Sequence, residues 1–247
     1  MQFSRLDLTS FVAAGILFVL TCANAKPNLI KTCRQGSREC FKESLQATVP
    51  GFTKGIPELG IEVLDPFIVD NLNLTLPGDL RINFKDGVAT GFRNCIIDKA
   101  RIVKDILEVQ LHCNLTIKGK YRSSGSLLIF PIDGEGDSTI KCRNIKFMAF
   151  FKLGSRMENG QKYVVIKSLK VDHRFDGNVF YQLTNLFKNS PEMSKLVLDF
   201  MNRNWKMVAE EFGKPIVDYG VAAILKNIKM LLKNMPEKEL SPVPLNL

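Results

Sequence analysis

The sequence predicts an α+β protein on three observations. Runs rich in Ile, Val, Leu and Phe, broken by turn signals, fill residues 67 to 173. Two long apolar stripes at helical spacing follow them. A short amphipathic segment beside two cysteines precedes them. Strands with an apolar face must bury it, and the late helices are the only segments long enough to cover it.

The chain opens on a weakly basic Arg5 and an apolar run from Phe11 to Leu20, then Ala23-Asn24-Ala25. That is the order of a secretory leader with a small-residue cleavage site, and the apolar run is too short to span a bilayer. The expected leader is residues 1–25, and the expected mature chain is one domain over residues 26–247. No later stretch is apolar enough for a membrane helix, so stable membrane insertion is not expected. Arg5 and Asp7 cancel, so the mature chain keeps the net charge of +9. The basic residues are spread out, with no compact stripe and no interleaved aromatics, which argues against nucleic acid as a partner.

Residues 38 to 49 read as a helix, with Phe41, Leu45 and Val49 at spacings of four and Pro50-Gly51 as its stop. Cys33 and Cys40 flank its start and can close a small loop, of order 2 kcal/mol in the chain-entropy model. The stretch Gly55 to Pro66 is too rich in Pro and Gly for long regular structure.

Five turn signals divide the strands: Pro77-Gly78-Asp79, Lys85-Asp86-Gly87, Lys118-Gly119-Lys120, Asp133-Gly134-Glu135-Gly136 and Glu158-Asn159-Gly160. The clearest strand is 107–117. Leu107, Val109, Leu111, Cys113, Leu115 and Ile117 share one face, while Glu108, Gln110, His112, Asn114 and Thr116 share the other. The sequon at Asn114 therefore falls on the wet face. With the sequon at Asn73 it is a candidate glycosylation site on an exported chain.

Cys22 leaves with the leader, and the five remaining cysteines suit an oxidising compartment. A turn at Val103-Lys104-Asp105 would bring Cys95 opposite Cys113, within reach of a disulfide, with Cys142 as the free thiol. Three buried unpaired cysteines are the competing reading.

Ser190 with Pro191 starts the helical third. Met193, Leu196, Val197, Phe200, Met201, Val208 and Phe212 form one stripe; Gly213-Lys214-Pro215 interrupts it. Val217, Val221, Ile224, Leu225, Ile228, Leu231, Leu232 and Met235 form the second, stopped by Pro236.

Catalytic machinery is not in evidence. His112 lies on a polar strand face and His173 between Asp172 and Arg174. No G-x-S-x-G elbow, H-E-x-x-H motif, paired C-x-x-C or phosphate loop occurs. No enzyme, metal or cofactor is expected. The chain instead holds 17 Phe against 4 Tyr and 1 Trp, which suits a dry core or a lipid pocket.

The order of features resembles the insect takeout and juvenile-hormone-binding family over nearly the whole mature chain. The resemblance rests on the Cys33/Cys40 pair, GIPELGIEVLDP from Gly55 to Pro66, and IKGKY from Ile117 to Tyr121. LLIFPIDGEGD from Leu127 to Asp137 and FMNRNWKMVAEEF from Phe200 to Phe212 complete it. It implies a long C-terminal helix wrapped by a strongly curved antiparallel sheet, as in half of the tubular lipid-binding fold. It also implies a disulfide between Cys33 and Cys40, stapling a short N-terminal helix, and Tyr121 in a G-x-Y motif. The three sheet cysteines depart from the usual takeout pattern.

By that resemblance the chain is a secreted carrier of a small hydrophobic ligand, such as a terpenoid hormone or fatty acid. Family links to circadian, feeding or hormone control come with it; a cell-surface receptor and a monomeric state are separate expectations. Tyr121, Phe200, Trp205 and Ile224 are the residues expected to face the ligand. The competing expectation is an interaction protein with a filled core that binds a receptor or surface.

Overall fold

The computed structural model describes residues 38–240. The expected leader and Cys33, and with it the Cys33–Cys40 staple, lie outside the described residues.

Seven strands form one antiparallel sheet: β1 (Phe67–Leu76), β2 (Leu80–Thr90), β3 (Ile96–Val103), β4 (Ile106–Leu127), β5 (Phe130–Glu158), β6 (Gln161–Phe175) and β7 (Val179–Leu183). The order is β1-β2-β4-β5-β6, with β3 paired to β4 and β7 to β5. β4 and β5, of 22 and 29 residues, make the spine. Each takes two neighbours in series. β3 lies along the start of β4 and β2 along its end, while β7 and β6 divide β5 the same way. Register shifts at Lys85/Val88, Ile97/Lys99, Cys113/Leu115 and Lys152/Leu153 bend and twist the ribbon. The sheet is accordingly curved, and the C-terminal helices lie in its concavity.

Two of the five turn signals, Pro77-Gly78-Asp79 and Glu158-Asn159-Gly160, do turn the chain; the other three lie inside strands. Their glycines answer to packing. A Cβ at Gly87 or Gly119 would collide with the Phe84 ring, which covers both backbones. One at Gly134 or Gly136 would strike residues 184–186, which cross the face of β5. The reversal before β5 uses Leu128-Ile129, with Leu128 at φ 55°, and nothing in those apolar residues marks a turn.

The β3–β4 turn is two residues, Lys104-Asp105, so Ile102 faces Leu107 rather than Ile106. A bulge between Ile97 and Lys99 returns the register by one, and Ile96 faces His112. Cys95 and Cys113 are thereby opposed and joined by a disulfide, with a Cα–Cα distance of 4.4 Å. Cys142 is a buried free thiol.

Helix α1 spans Arg38–Lys54 and runs through Pro50 instead of stopping there. Proline's fixed φ is helical, and a single Pro costs the last turns only one N–H bond. Thr53 Oγ1 donates to the Val49 and Pro50 carbonyls at 2.8 and 3.2 Å, and Gly55 at φ 83° ends the element. Phe41, Leu45 and Val49 face the sheet. Gln46 binds the edge of β3: its amide donates to the Cys95 carbonyl at 3.1 Å and accepts from the Ile97 N–H at 2.7 Å.

The helical third comprises α2 (Pro191–Arg203), α3 (Trp205–Phe212), α4 (Lys214–Asn234) and α5 (Glu237–Leu240). Ser190 stands at the N-cap, but its side chain makes no cap; its carbonyl accepts from the Ser194 N–H at 3.0 Å. An unexpected break falls at Asn204, and the Gly213-Lys214-Pro215 break falls where the spacing places it. Fully buried Asn227 on α4 holds residue 62 of the Pro/Gly stretch from both sides. Its Oδ1 accepts from the Glu62 N–H at 3.2 Å and its Nδ2 donates to the Glu62 carbonyl at 2.7 Å.

On the outer face, Glu108 takes hydrogen bonds from Lys99, Arg101 and Gln110. Lys99, then Arg101 and Gln110, hold its carboxyl well below the usual range, at about 2, against the opposing effect of burial. A lowered folded value stabilises the fold above pH 4.5, and that stabilisation is lost as pH falls from there through about 2. Glu108→Gln should therefore cost about 1 kcal/mol at neutral pH, after allowance for solvent-exposed cations, and progressively less as pH falls through about 2. Urea titrations at both pH values check it. Replacing Cys95 and Cys113 together by Ser should remove about 3 kcal/mol, given the separation of 18 residues.

An apolar cavity between sheet and helices

The inner faces of the sheet and the helices pack together in two apolar clusters but do not close completely. Between them lies a cavity of about 1020 Å³. The whole apolar face expected for strand 107–117 lines it: Leu107, Val109, Leu111, Cys113, Leu115 and Ile117. Opposite stand Val217, Val221, Ile224 and Ile228 of α4, four from the second helical stripe. Phe41, Leu45 and Val49 of α1 line one end; Leu76, Leu80, Leu127 and Leu186 line the other. The filled core of the competing expectation is not what the chain builds.

The wall carries little charge. Arg101 is its only ionisable acid or base among the described residues apart from tyrosine and cysteine, and its guanidinium is bound to Glu108. Hydroxyls come from Ser44 and Thr48 at the α1 end and from Tyr121, Ser123, Ser138 and Tyr181 on the sheet; Tyr219 adds one from α4. Cys142 presents its thiol from β5.

Of the four residues expected to face a ligand, the structure brings two to the wall. Ile224 lies there by helical spacing. Tyr121 is there too, but its hydroxyl donates to the Thr184 carbonyl at 2.8 Å. Burial pushes it up to about 12, so it stays a neutral donor already committed to the protein. Phe200 and Trp205 do not line the cavity. Phe200 packs edge-on against Phe130 at 5.5 Å on the far side of α2, and Trp205 packs half-buried against the neighbouring core. Met201 and Val208, seven residues apart, carry the inward face across the break at Asn204, and Trp205 is not among the residues that line the cavity. Ser138 and Tyr181 were missed, although the alternation Val179, Tyr181, Leu183 puts Tyr181 on an apolar face.

The two histidines are not part of the wall. His112 Nδ1 lies 2.9 Å from both Asp98 oxygens on the outer face. His173 rests edge-on against Phe175 at 5.4 Å, and burial lowers its pKa. Among the described residues, no three His, Cys, Asp or Glu side chains gather to hold a metal. Asn73 and Asn114 are exposed on strands. Each uses its carbonyl oxygen, Asn73 accepting from Asn83 Nδ2 at 2.6 Å and Asn114 from the Asn144 N–H at 2.8 Å.

A curved antiparallel sheet closed by long helices over an apolar cavity is the architecture of a hydrophobic-ligand binder. The sequence profile of the family "Haemolymph juvenile hormone binding protein" matches residues 12–242, and the chain belongs to that family, whose members bind small hydrophobic ligands. The crystal structure of Takeout 1 from Epiphyas postvittana superposes with a TM-score of 0.82 at 33% identity, covering 87% of this chain and 100% of that one. The circadian clock-controlled protein daywake of Drosophila melanogaster is 24% identical over 246 residues, covering 92% of this chain and 94% of its own. Its counterpart in Drosophila yakuba is 24% identical over 227 residues, covering 86% and 87%.

Two predictions follow from this wall. Burial pushes the Cys142 thiol up to about 12, so it remains protonated and unreactive far above neutrality. Iodoacetamide at about pH 8 should leave Cys142 unmodified in the folded protein and alkylate it in guanidinium, as peptide mapping would show. Gly136→Ala should drive Thr184 off β5 and lower stability by about 1–3 kcal/mol in denaturant titrations.

Proposed function

We propose that this chain is a secreted carrier that holds a small hydrophobic ligand, such as a terpenoid or fatty-acid derivative, in its internal cavity. The observation that carries the reading is the volume of about 1020 Å³, walled by apolar side chains from sheet and helices. That volume stands at the upper end of ligand pockets, about 300–1,000 Å³. Burial of apolar ligand surface at about 25 cal/mol per Å² supplies the affinity, less the cost of immobilising the ligand. Tyr121 and Ile224 are among the contacts.

Export rests on the leader-like residues 1–25 and on the sequons at Asn73 and Asn114, whose amides stand exposed. No described helix is long and apolar enough to cross a membrane. A Cys33–Cys40 staple on α1, a monomeric state and delivery to a cell-surface receptor belong to the same reading. The clock control named for the daywake proteins extends it to circadian, feeding or hormone signalling.

Native mass spectrometry of chain purified without detergent should show a co-purified lipid, or uptake of an offered terpenoid ester, fatty acid or quinone. Ala149 is a buried wall residue. Ala149→Trp should cut uptake about tenfold or more, with the far-UV spectrum unchanged. Failure of every offered class to bind the wild-type chain overturns the proposal.

A further inference from the structure

One part of the wall is built differently from the rest. Ser138 and Cys142 flank Ile140 on the inner face of β5, and Tyr181 of β7 stands opposite Ile140 in register. Neighbours on that diagonal are about 7–8 Å apart at the backbone, within reach of a tyrosine. Ser138 and Tyr181 are 4% and 8% exposed. Neither hydroxyl has a hydrogen-bond partner among the described residues, unlike Tyr121, whose hydroxyl reaches Thr184. Nor is either oxygen sealed from open space, and the space they share is the cavity. Buried donors left without partners are costly, and native interiors avoid them.

On the carrier reading above, we infer that Tyr181 and Ser138, with the Cys142 thiol beside them, form a polar subsite within the cavity. The subsite takes an uncharged acceptor oxygen of the ligand: an ester, ketone, ether or alcohol on an otherwise apolar chain. An ionised carboxylate is disfavoured there. It would shed its water with no free cation among the described wall residues to meet it, because the guanidinium of Arg101 is engaged by Glu108. Burial raises both Tyr181 and Cys142, so all three groups remain neutral donors throughout the physiological range.

The test is displacement of N-phenyl-1-naphthylamine from the full chain by hexadecane, methyl hexadecanoate and hexadecanoate at neutral pH. Tyr181→Phe, which removes only the hydroxyl, should weaken methyl hexadecanoate about tenfold relative to hexadecane, and Ser138→Ala should weaken it less. Wild-type chain should bind the ester more tightly than hexadecanoate. An ester-to-hexadecane ratio unchanged in both variants would mean that the hydroxyls serve only water, and it overturns the subsite. So does hexadecanoate binding more tightly than the ester. In either case hexadecane still displacing the probe leaves the carrier standing, whereas no displacement by any of the three sinks both readings.

Discussion

The pairing of β4 with β5 governs the rest of the molecule. The two strands hydrogen-bond along nearly their whole lengths, from Ile106↔Lys152 to Leu127↔Phe130. Each changes its outer neighbour midway. β4 passes from β3 to β2 between His112 and Thr116, and β5 from β7 to β6 between Cys142 and Ile145. The register shift at Cys113/Leu115 falls at the same level, and so does the Cys95–Cys113 disulfide. A bulge leaves one residue unpaired and bends its strand. Here the bend is shared by every strand that ends or begins at this waist. Two apolar clusters lie on either side of it, one gathering α2 and α3, the other α1 and α4.

A curved spine explains why the interior is hollow. Helices laid in the concavity pack on parts of the sheet and leave the rest of its floor uncovered. Leu107 to Ile117 and the stripe of α4 therefore look at each other across open space. A void forfeits the dispersion contacts its lining atoms would have made. The structure offsets this with backbone pairing and with polar contacts at the seams. Gln46 joins α1 to β3, Asn227 joins α4 to Glu62, and Asn202 of α2 exchanges hydrogen bonds with the backbone of Tyr181. None of these needs the cavity to be full.

Charge is sorted in the same way. Ion pairs such as Lys146–Asp176 and Lys99–Glu108 lie on the outer face of the sheet. Arg101 reaches the wall with its head turned to Glu108. The interior that results is apolar and uncharged, relieved by a few hydroxyls and one thiol.

Local chemistry was readable wherever a residue's fate depended on its neighbours in the chain. The alternation of residues 107–117, the stripe from Val217 onward and the break at Gly213-Lys214-Pro215 reflect period and backbone geometry, which act over a few residues. The GIPELGI and FMNRNWKMVAEEF segments carried the resemblance to the family, and with it the wrapped architecture. Glycines misled because they were read as turns. Gly87, Gly119, Gly134 and Gly136 lack side chains because a ring or a crossing segment distant in sequence lies on them. The opposition of Cys95 and Cys113 was reached from a turn one residue too long, and an unseen bulge made good the difference. Phe200 and Trp205 were expected inside, but the inward face runs through Met201 and Val208 and leaves both off the wall. By itself the sequence determined which faces are apolar and which segments are helix or strand, because periodicity is local. Only the tertiary structure decided that those faces stand apart around a cavity, and which hydroxyls open into it. Curvature, bulges and the approach of remote segments set those distances, and none of them leaves a pattern in neighbouring residues.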